Sequence, residues 1–499
     1  MRPRSRFTDR RWRSALGTWT LAIGLAAGAG ATLAAVAIAR KQVLLVGAAE
    51  QLGLVARWAM LATPAGAALG LTGVLLAVLA RRRSIRHTLV GLVLLAGASL
   101  PVAAGLRSSS SPWRMLGSPA PYVSPGPRRA REGAPNLVLV TVDTLRADHL
   151  EPYGYQRPTA PTLSALARDG VVFDLAISQA PETLHSMAAL MTGLYPHVVD
   201  RTFELREGRG PFVDSAFHPL AERLAAGGYH TGGFVSNPFL RARNGFAKGF
   251  EHYDDTSGMY FWGASGRTRQ AEDVVDPAIA WLAQAEPPFF LWIHVMDPHH
   301  PYEPAVPAPW EEAASTTFTA FDEQYGTLDV PGYTRRLAEL GTGRRRFQPG
   351  ELDYLVGRYD AEIRQSDRAI GRLVEELRSR GFGDTNTTIV VTADHGEEFA
   401  DHGGMTHGHT LFDELIHVPL IVQGAGVSRG ARVGAQVRLI DVAPTLLDLA
   451  GLLDGASASG LHGRSLVPAL GGAALQSLPA LAFCERDYAA YRTRERKLV

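Results

Sequence analysis

Apolar residues are arranged in two different ways along the chain, and each arrangement predicts a different structure. Near the N-terminus, three long stretches contain no charged residue: 15–39, 58–80 and 88–106. A helix of about 20 apolar residues spans the hydrocarbon core of a bilayer, so each stretch predicts a membrane-spanning helix. From residue 136 onward the apolar runs are short and alternate with helical patterns, which predicts a folded soluble domain.

The first apolar stretch has an alternative interpretation, because the six arginines before it also suit a cleaved signal peptide. We favour a membrane span, since the stretch exceeds the usual signal-peptide core of about 7–15 residues and two further stretches follow it. We therefore predict a transmembrane region at 1–106 that has the lipid bilayer as its partner.

In the soluble part, four apolar runs rich in β-branched residues predict buried strands. They are NLVLVTVD (136–143), FFLWIHVMD (289–297), TTIVVTAD (387–394) and HVPLIVQG (417–424). Helical periodicity lies between them, for example at 162–170, 217–229 and 359–381. Strands that alternate with helices predict an α/β fold, in which helices flank a largely parallel sheet.

The charge is divided between the two parts of the chain. Residues 1–135 hold 18 Lys and Arg but 3 Asp and Glu. Arginines cluster at 2–13 and 81–86, and the excess of basic residues predicts that both clusters face the cytoplasm. Three spans then leave the domain at 136–499 outside the cytoplasm, joined through a Ser-, Pro- and Gly-rich linker at 107–135.

Composition argues against two kinds of site. The whole chain has 50 Lys and Arg against 49 Asp and Glu, which argues against a nucleic-acid binder that depends on phosphate contacts. The single cysteine, Cys484, excludes an internal disulfide framework and a zinc site made of several cysteines.

Aspartates end three of the predicted strands: Asp143, Asp297 and Asp394. Ligands gather at the carboxyl ends of strands in open α/β sheets. A single aspartate in this position is more typical of a helix cap or a turn. Three of them, two with histidine just beyond, favour a metal site.

Histidines are concentrated in two segments that follow predicted strands. The first is TADHGEEFADHGGMTHGH (392–409), and the second is MDPHHPYEP (296–304), in which prolines stiffen the loop. Carboxylate and imidazole groups together suit a divalent cation, whereas the alternative for the first segment is a solvated histidine-rich loop.

A hydroxyl group marks the start of a third segment, APETLHSMAALMTGLYP (180–196), in which an apolar helical stretch begins at Thr183. One interpretation is that Thr183 caps this helix. The other is that its hydroxyl lies at a binding site for a tetrahedral anion, since the start of a helix offers exposed N–H groups and the positive end of the helix dipole. The two roles are compatible.

Several motifs, in this order, resemble the sulfatase family of the alkaline phosphatase superfamily. They are NLVLVTVDTLRADHLEPYGYQRPTAPTLSALARDGVVF, MDPHHPYEP, TADHGEEFADHG and LIDVAPTLLDLAGL with LHGRSL. The resemblance covers about 136–499. It implies an alkaline-phosphatase-like fold and the cleavage of sulfuric or phosphoric esters.

The resemblance also implies roles for individual residues. It places one divalent metal cation, Ca²⁺, Mg²⁺, Mn²⁺ or Zn²⁺, on Asp143, Asp394 and His395, with Thr183 as fourth ligand and nucleophile. It implies that His299 contacts the ester oxygens and that His407 protonates the leaving group. His300 and His409 are further candidates for a second metal site.

The chain departs from the family pattern at several positions. Thr183 stands where the family has the cysteine or serine that becomes formylglycine, and His185 and Met187 replace a proline and an arginine. Thr144 replaces a second aspartate, and GGFVSN (232–237) replaces a stretch that carries a lysine. Related branches that act on phosphoesters use threonine as the nucleophile, so the formylglycine hydrate is not expected here.

These observations favour a membrane-anchored hydrolase of sulfate or phosphate esters outside the cytoplasm. One alternative is a phosphodiesterase or phospho-alcohol transferase that uses Thr183 on lipid or envelope substrates. Another is a binding module that has lost activity. The final YRTRERKLV resembles a strand that precedes a further segment in the family, so we expect a truncated C-terminal subdomain.

Overall fold

The structure, a computed structural model, describes residues 130–199, 212–213, 217–256, 269–313, 315–458, 460–484 and 488–499. The three predicted membrane spans and the predicted linker as far as residue 129 lie outside these residues and stay predictions. Across the described ranges, no helix combines the length and the apolar character that crossing a bilayer requires.

The described residues form fourteen strands, which belong to three sheets. They are β1 (Asn136–Val142), β2 (Val171–Ile177), β3 (His230–Val235), β4 (His252–Asp254), β5 (Phe289–Val295), β6 (Thr387–Ala393), β7 (Glu398–Phe399), β8 (Met405–Thr406), β9 (His417–Val418), β10 (Leu420–Gly424), β11 (Ala431–Arg438), β12 (Ala480–Cys484), β13 (Tyr488–Arg492) and β14 (Lys497–Leu498).

The large central sheet is mixed but mostly parallel, as the sequence predicts. Its order is β11-β2-β10-β6-β1-β5-β3-β4, and β9 pairs with β2. β1 lies parallel to β6 on one side and to β5 on the other, and β3 continues the parallel arrangement. β10 runs antiparallel to both of its neighbours. β1, β5 and β6 are buried along their whole length, as expected for central strands covered on both faces.

The prediction of one strand over 417–424 is wrong, because the structure has two strands there, β9 and β10. Pro419 separates β9 from β10, and a proline has no N–H group to donate to a neighbouring strand. The carbonyl of Pro419 instead accepts a hydrogen bond from Thr392 Oγ1, at 2.7 Å.

Helices lie at the places that the periodicity predicts, and further helices lie between them. Their bounds are α1 (Pro161–Asp169), α2 (Thr183–Thr192), α3 (Leu220–Ala226), α4 (Ala271–Leu282), α5 (Pro309–Ala313), α6 (Ser315–Tyr325), α7 (Val330–Gly341), α8 (Glu351–Ser379), α9 (Asp413–Ile416), α10 (Val442–Leu449), α11 (Gly455–Ala458) and α12 (Val467–Leu470).

Two of these helices differ in length from the prediction. α8 begins at Glu351 rather than at residue 359, because its buried face continues through Tyr354 and Leu355. α3 is shorter than the predicted 217–229, since Pro219 precedes its first turn and Gly227 follows its last.

The small antiparallel sheet β12-β13-β14 closes the described chain. The predicted strand near the C-terminus corresponds to the end of β13 at Arg492 and to β14. Whether this subdomain is truncated stays a prediction.

Candidate active site

Two aspartates meet at the ends of neighbouring parallel strands. The register pairs Val142 with Ala393, the last residues of β1 and β6, so that Asp143 and Asp394 follow at the same edge of the sheet. Both carboxylates are fully buried, and Asp143 Oδ1 and Asp394 Oδ2 have no hydrogen-bond partner. A buried carboxylate oxygen without a partner is costly unless it binds a cation or a proton. The pair therefore suits a metal ion.

His395 and Thr183 bring two further ligand atoms to this pair. His395 Nδ1 donates to the carbonyl of Gly396 at 2.9 Å, which leaves the lone pair on Nε2. His395 Nε2 lies 3.5 Å from Asp394 Oδ2, 3.7 Å from Asp143 Oδ1 and 3.3 Å from Thr183 Oγ1. Two atoms that bind one cation at about 2.1–2.4 Å lie about 3–4 Å apart, so this spacing fits a single divalent cation.

Thr183 is the first residue of α2, and the interpretation that it caps this helix is wrong. The cap is Glu182, whose carboxylate accepts hydrogen bonds from the backbone N–H groups of Leu184 and His185, at 3.1 and 3.2 Å. The Thr183 hydroxyl lies beside His395 instead. The helix therefore positions the hydroxyl without requiring it for its own stability.

Asn237 holds the threonine hydroxyl from the other side. Its Oδ1 accepts from the N–H of Phe239 at 2.8 Å, which fixes the amide orientation. Its Nδ2 then donates to Asp143 Oδ2 at 2.6 Å and to Thr183 Oγ1 at 3.2 Å. This amide lies in the segment 232–237, where the sequence lacks the lysine of the family pattern, and it is not among the predicted site residues.

A chain of hydrogen bonds supports Asp143 from inside the sheet. Trp292 Nε1 donates to Thr141 Oγ1 at 3.0 Å, and Thr141 Oγ1 lies 2.9 Å from His294 Nδ1. His294 Nε2 lies 3.3 Å from Asp143 Oδ2. When the Thr141 hydroxyl donates to His294 Nδ1, the ring proton of His294 is on Nε2. That nitrogen then donates to the Asp143 carboxylate.

The two aspartates have pKa values that shift in opposite directions. Burial alone would raise the pKa of Asp143, but the hydrogen bond from His294 and the nearby imidazoles outweigh it, so the pKa is lowered. Burial and the neighbouring Asp143 carboxylate raise the pKa of Asp394. Two like charges in one buried site repel each other, and a bound cation would relieve that repulsion.

Thr144 connects the ends of the two strands through its backbone. Its φ of 55° lies in the left-handed region, which a β-branched residue rarely adopts. In this conformation its N–H donates to Asp394 Oδ1 at 3.2 Å, and its carbonyl accepts from the Tyr359 hydroxyl at 2.7 Å. The residue that replaces the family's second aspartate thus orients the carboxylate of Asp394.

Three further imidazoles lie beside this centre: those of His299, His300 and His407. Their ligand atoms lie within 4.8 Å of one another, and the rings of His407 and His395 are 4.5 Å apart between centroids. Burial and the neighbouring His300 lower the pKa of His299 to about 3, so this side chain is neutral at physiological pH. The rings of His299 and His407 lie side by side, with centroids 4.9 Å apart.

Glu397, which is not among the predicted site residues, supports the imidazoles from behind. Its Oε1 accepts from His407 Nδ1 at 2.9 Å, and its Oε2 accepts from the Tyr302 hydroxyl at 3.1 Å. Burial alone would raise the pKa of Glu397, but His407 and His300 lower it well below its ordinary value. The carboxylate is buried and charged, and it fixes the orientation of His407.

Other candidate residues lie outside the centre. Asp297, the third strand-end aspartate, accepts from the N–H of Ala271 at 2.6 Å, at the start of α4. His409 Nε2 is bonded to Glu398 Oε2 at 2.8 Å, whereas His300 lies in a group with His299 and His407, so a second metal site that includes His409 stays a prediction. His185 pairs with Glu182, and Met187 is buried in the core.

The overlooked residues Asn237, His294 and Glu397 share one signal in the sequence. Each lies in or within four residues of the carboxyl end of a parallel strand, β3, β5 or β6. The sequence does not show which strands lie next to β3, β5 and β6, so it does not show that these three residues meet at one site.

The fold and this buried centre define a class of α/β hydrolase that acts on anionic esters. The family model for Sulfatase matches residues 135–452. An arylsulfatase K of Danio rerio is 26% identical over 401 residues, which cover 70% of this chain and 71% of the relative.

Solved structures share the fold. A phosphonate monoester hydrolase of Agrobacterium radiobacter has a TM-score of 0.53 and 22% identity, over 73% of this chain and 86% of that chain. A structure described as a complex with its substrate D-glucosamine-2-N,6-O-disulfate has a TM-score of 0.54 and 21% identity, over 72% and 87%. The chain belongs to the sulfatase family, within the alkaline phosphatase superfamily, and is a sulfuric ester hydrolase.

Proposed function

We propose that this protein is a metal-dependent hydrolase of sulfate esters that uses Thr183 as its nucleophile. The observation that carries the proposal is the convergence of the Thr183 hydroxyl with Asp143, Asp394 and His395. Two buried carboxylate oxygens without partners lie in the same place, and a divalent cation would satisfy both.

Asp143, Asp394 and His395 would hold the cation, with Thr183 as a fourth ligand. A divalent cation bound there lowers the pKa of a neighbouring hydroxyl and neutralises part of the ester's charge. Asn237 keeps the Thr183 oxygen in place by donating to it, and this fixed position lowers the entropic barrier to attack.

The remaining chemistry requires proton transfer to the departing alcohol. Attack by Thr183 Oγ1 forms a bond to sulfur while the bond between sulfur and the departing oxygen breaks, and the hydroxyl proton of Thr183 passes to solvent. Glu397 accepts from His407 Nδ1, so the doubly protonated His407 would give its Nε2 proton to the departing oxygen and recover one from the attacking water. His299 Nδ1 donates to the carbonyl of His300, so this ring would contact an ester oxygen through Nε2, which carries a proton only when the imidazole is charged; a bound anion favours that form. Water then displaces Thr183 and releases sulfate.

A phosphodiesterase or phospho-alcohol transferase is the second candidate. The same threonine favours it, because an ordinary hydroxyl can attack phosphorus as well as sulfur. A transferase would deliver the phospho-alcohol group to an acceptor alcohol instead of water. Identification of the products from a lipid substrate distinguishes the two.

We also propose that the catalytic domain is anchored to the cell membrane and faces away from the cytoplasm. The three uncharged stretches at 15–39, 58–80 and 88–106 support this location, together with the arginine clusters at 2–13 and 81–86. Substrates at the outer surface of the membrane or in the envelope would then reach the site.

The direct test is turnover of an aryl sulfate and an aryl phosphodiester by the full chain purified in detergent. We expect sulfate-ester hydrolysis that chelation abolishes and that added divalent cation restores. Hydrolysis of the phosphodiester alone would favour the second candidate. No turnover of either ester by the metal-loaded protein would favour a binding module.

A further inference from the structure

The loop that carries His299 takes its shape from hydrogen bonds rather than from a helix or a strand. This loop (296–305), which we call the histidine loop, lies in the chain between β5 and α5. The backbone N–H of His299 donates to the carbonyl of Met296 at 2.9 Å, and His299 Nδ1 donates to the carbonyl of His300 at 2.6 Å. Since these partners belong to the loop itself, the position of His299 Nε2 depends on where the whole loop lies.

The long helix α8 supplies hydrogen bonds to the backbone of this loop. The side chains that make them share one face of the helix and are those of Glu362, Gln365 and Ser366. Glu362 Oε1 accepts from the N–H of Glu303 at 2.7 Å. Gln365 Oε1 accepts from the N–H of Ala305 at 2.8 Å, and Ser366 Oγ donates to the carbonyl of Asp297 at 3.0 Å. The helix therefore holds the histidine loop near its start, at Glu303 and at its end.

A contact on the opposite side of the loop lies next to Glu303. The preceding residue, Tyr302, donates from its hydroxyl to Glu397 Oε2 at 3.1 Å, and its backbone carbonyl accepts from Arg358 Nε of α8 at 3.4 Å. The histidine loop is thus held between α8 and the carboxylate that supports His407.

Glu362 is the buried acid among the three side chains of α8. The residue is 2% exposed, and its Oε2 atom has no hydrogen-bond partner among the described residues. Burial and the neighbouring Asp297 raise the pKa of Glu362 well above its ordinary value, so the side chain is neutral at physiological pH. A buried carboxyl group with an unpaired oxygen destabilises a fold relative to an apolar side chain of similar size. Stability alone therefore does not explain why a carboxyl group is present here.

We propose that Glu362 is a positioning residue for the proposed reaction: by accepting from the N–H of Glu303, it holds the histidine loop where His299 meets the ester. The inference rests on the proposed function, in which His299 contacts the ester oxygens. Among the described residues, Glu362 makes no hydrogen bond to Thr183 or to the proposed metal ligands, so its effect passes through the loop. Misplacement of a contacting group by about 1 Å can lower a rate by about 100-fold, even when the change lies far from the reacting atoms.

The experiment measures turnover of an aryl sulfate by the metal-loaded full chain in detergent, for the wild type, Glu362→Met and Glu362→Gln. Methionine is similar in length but has no acceptor oxygen, whereas glutamine keeps one. We expect kcat/KM to fall by about 10-fold or more in Glu362→Met and to stay within about 3-fold of the wild type in Glu362→Gln. Metal content should be the same in all three. No loss in Glu362→Met, or equal losses in the two variants, would overturn the proposal.

Asp367→Leu is the matched control. Asp367 is also a buried carboxyl group of α8 that accepts from backbone N–H groups, but these belong to Thr162 and Leu163 at the start of α1. The control should lower the melting temperature and leave kcat/KM within about 3-fold of the wild type. A loss of kcat/KM equal to that of Glu362→Met would mean that general destabilisation lowers the rate, and it would overturn the positioning role. Thermal unfolding checks every variant, and Glu362→Ala takes the place of Glu362→Met if the methionine variant does not fold.

A double-mutant cycle with His299 tests the route of the effect. In a His299→Gln background, Glu362→Met should cause little further loss of kcat/KM, because the side chain through which it acts is gone. Losses that multiply when the two substitutions are combined would contradict this route and overturn the proposal.

Binding of inorganic sulfate to the metal-loaded protein, measured by calorimetry, separates this inference from the proposed function because it requires no turnover. Glu362→Met should bind sulfate about 10-fold more weakly than the wild type, and the difference should vanish in the His299→Gln background. Such binding without any ester hydrolysis would support the positioning role and contradict the catalytic proposal. Turnover that Thr183→Ala abolishes but Glu362→Met leaves unchanged, together with unchanged sulfate affinity, would overturn the positioning role and leave the catalytic proposal intact.

Discussion

Thr183 and His395 are separated by 212 residues in the chain, yet Thr183 Oγ1 lies 3.3 Å from His395 Nε2. One stands at the start of a helix, and the other follows the central strand β6. The Glu182 carboxylate accepts hydrogen bonds from the N–H groups at the start of that helix. The Thr183 hydroxyl is therefore not needed as the helix cap and can take part in chemistry. This contact places the Thr183 hydroxyl beside one of the proposed metal ligands.

The first prediction concerns the two aspartates that bind metal. Asp143→Asn and Asp394→Asn should each remove the cation of this site, because an amide supplies a weaker and uncharged ligand. Asp297→Asn is the matched control, since Asp297 also ends a predicted strand but bonds to the N–H of Ala271, which an amide oxygen can still accept. Metal analysis after dialysis should show a loss in the first two variants and wild-type content in the control. Equal content in all three would rule out the ligand roles.

The strands that carry this centre are predictable from the sequence because buried β-branched runs are unambiguous at β1, β5 and β6. The aspartates that follow them are equally visible. The sequence does not show that Asp143 joins the proposed metal site whereas Asp297 bonds to the N–H of Ala271. That difference depends on which helix begins beside each strand end. The split at Pro419 and the direction of β10 also depend on pairing rather than on local pattern.

The role of Thr183 illustrates the same limit. Its position at the start of a helix is visible in the sequence, but the capping carboxylate is the preceding Glu182. Asn237 is overlooked because its importance comes from β3 lying next to β5, an adjacency between strands separated by dozens of residues.

The second prediction concerns Asn237, which positions the nucleophile. Asn237→Ala removes the donor to Thr183 and Asp143. A buried hydrogen bond of this kind contributes about 1–3 kcal/mol, so kcat should fall by about 5- to 150-fold while metal content is retained. Steady-state kinetics together with metal analysis check this. An unchanged kcat would show that the amide does not position the hydroxyl.

The third prediction concerns pH and Asp367, which accepts from the N–H groups of Thr162 and Leu163 at the start of α1. Burial raises the pKa of Asp367 from its ordinary 3.8 to about 6, so the folded state holds this proton more tightly than the unfolded state. Its contribution is fully present below about pH 4 and is lost as the pH rises through 6, by about 3 kcal/mol in the free energy of unfolding.

The variant Asp367→Asn isolates this contribution because an amide does not titrate. Thermal or urea unfolding between pH 4 and 7 should show a weaker loss of stability with rising pH in the variant than in the wild type. Parallel curves for the two proteins would mean that Asp367 titrates near its ordinary pKa in the folded state.

The fourth prediction concerns topology. Arginines at 2–13 and 81–86 predict that the chain after residue 107 leaves the cytoplasm. Fusions of a reporter that is active outside the cytoplasm and of one that is active inside should be made after Arg57, Arg86 and Arg107. We expect outside, inside and outside, respectively. A cytoplasmic signal after Arg107 would contradict the proposed location.

A comparison of the wild type with Thr183→Ala and Thr183→Ser on an aryl sulfate, with metal added, tests whether Thr183 attacks the ester. Protein made without any formylglycine-generating system should be active, because the nucleophile is an ordinary hydroxyl. Thr183→Ala should lose about 10³-fold or more in kcat, since a positioned nucleophile contributes many orders of magnitude to the rate.

The melting temperature of Thr183→Ala should stay close to that of the wild type, because Glu182 caps the helix; Glu182→Ala should instead cost about 1 kcal/mol of stability. Thr183→Ser should retain part of the activity, since its hydroxyl occupies the same place. The expected order of rates is wild type, then Thr183→Ser, then Thr183→Ala far below. Equal turnover by the wild type and Thr183→Ala would contradict it.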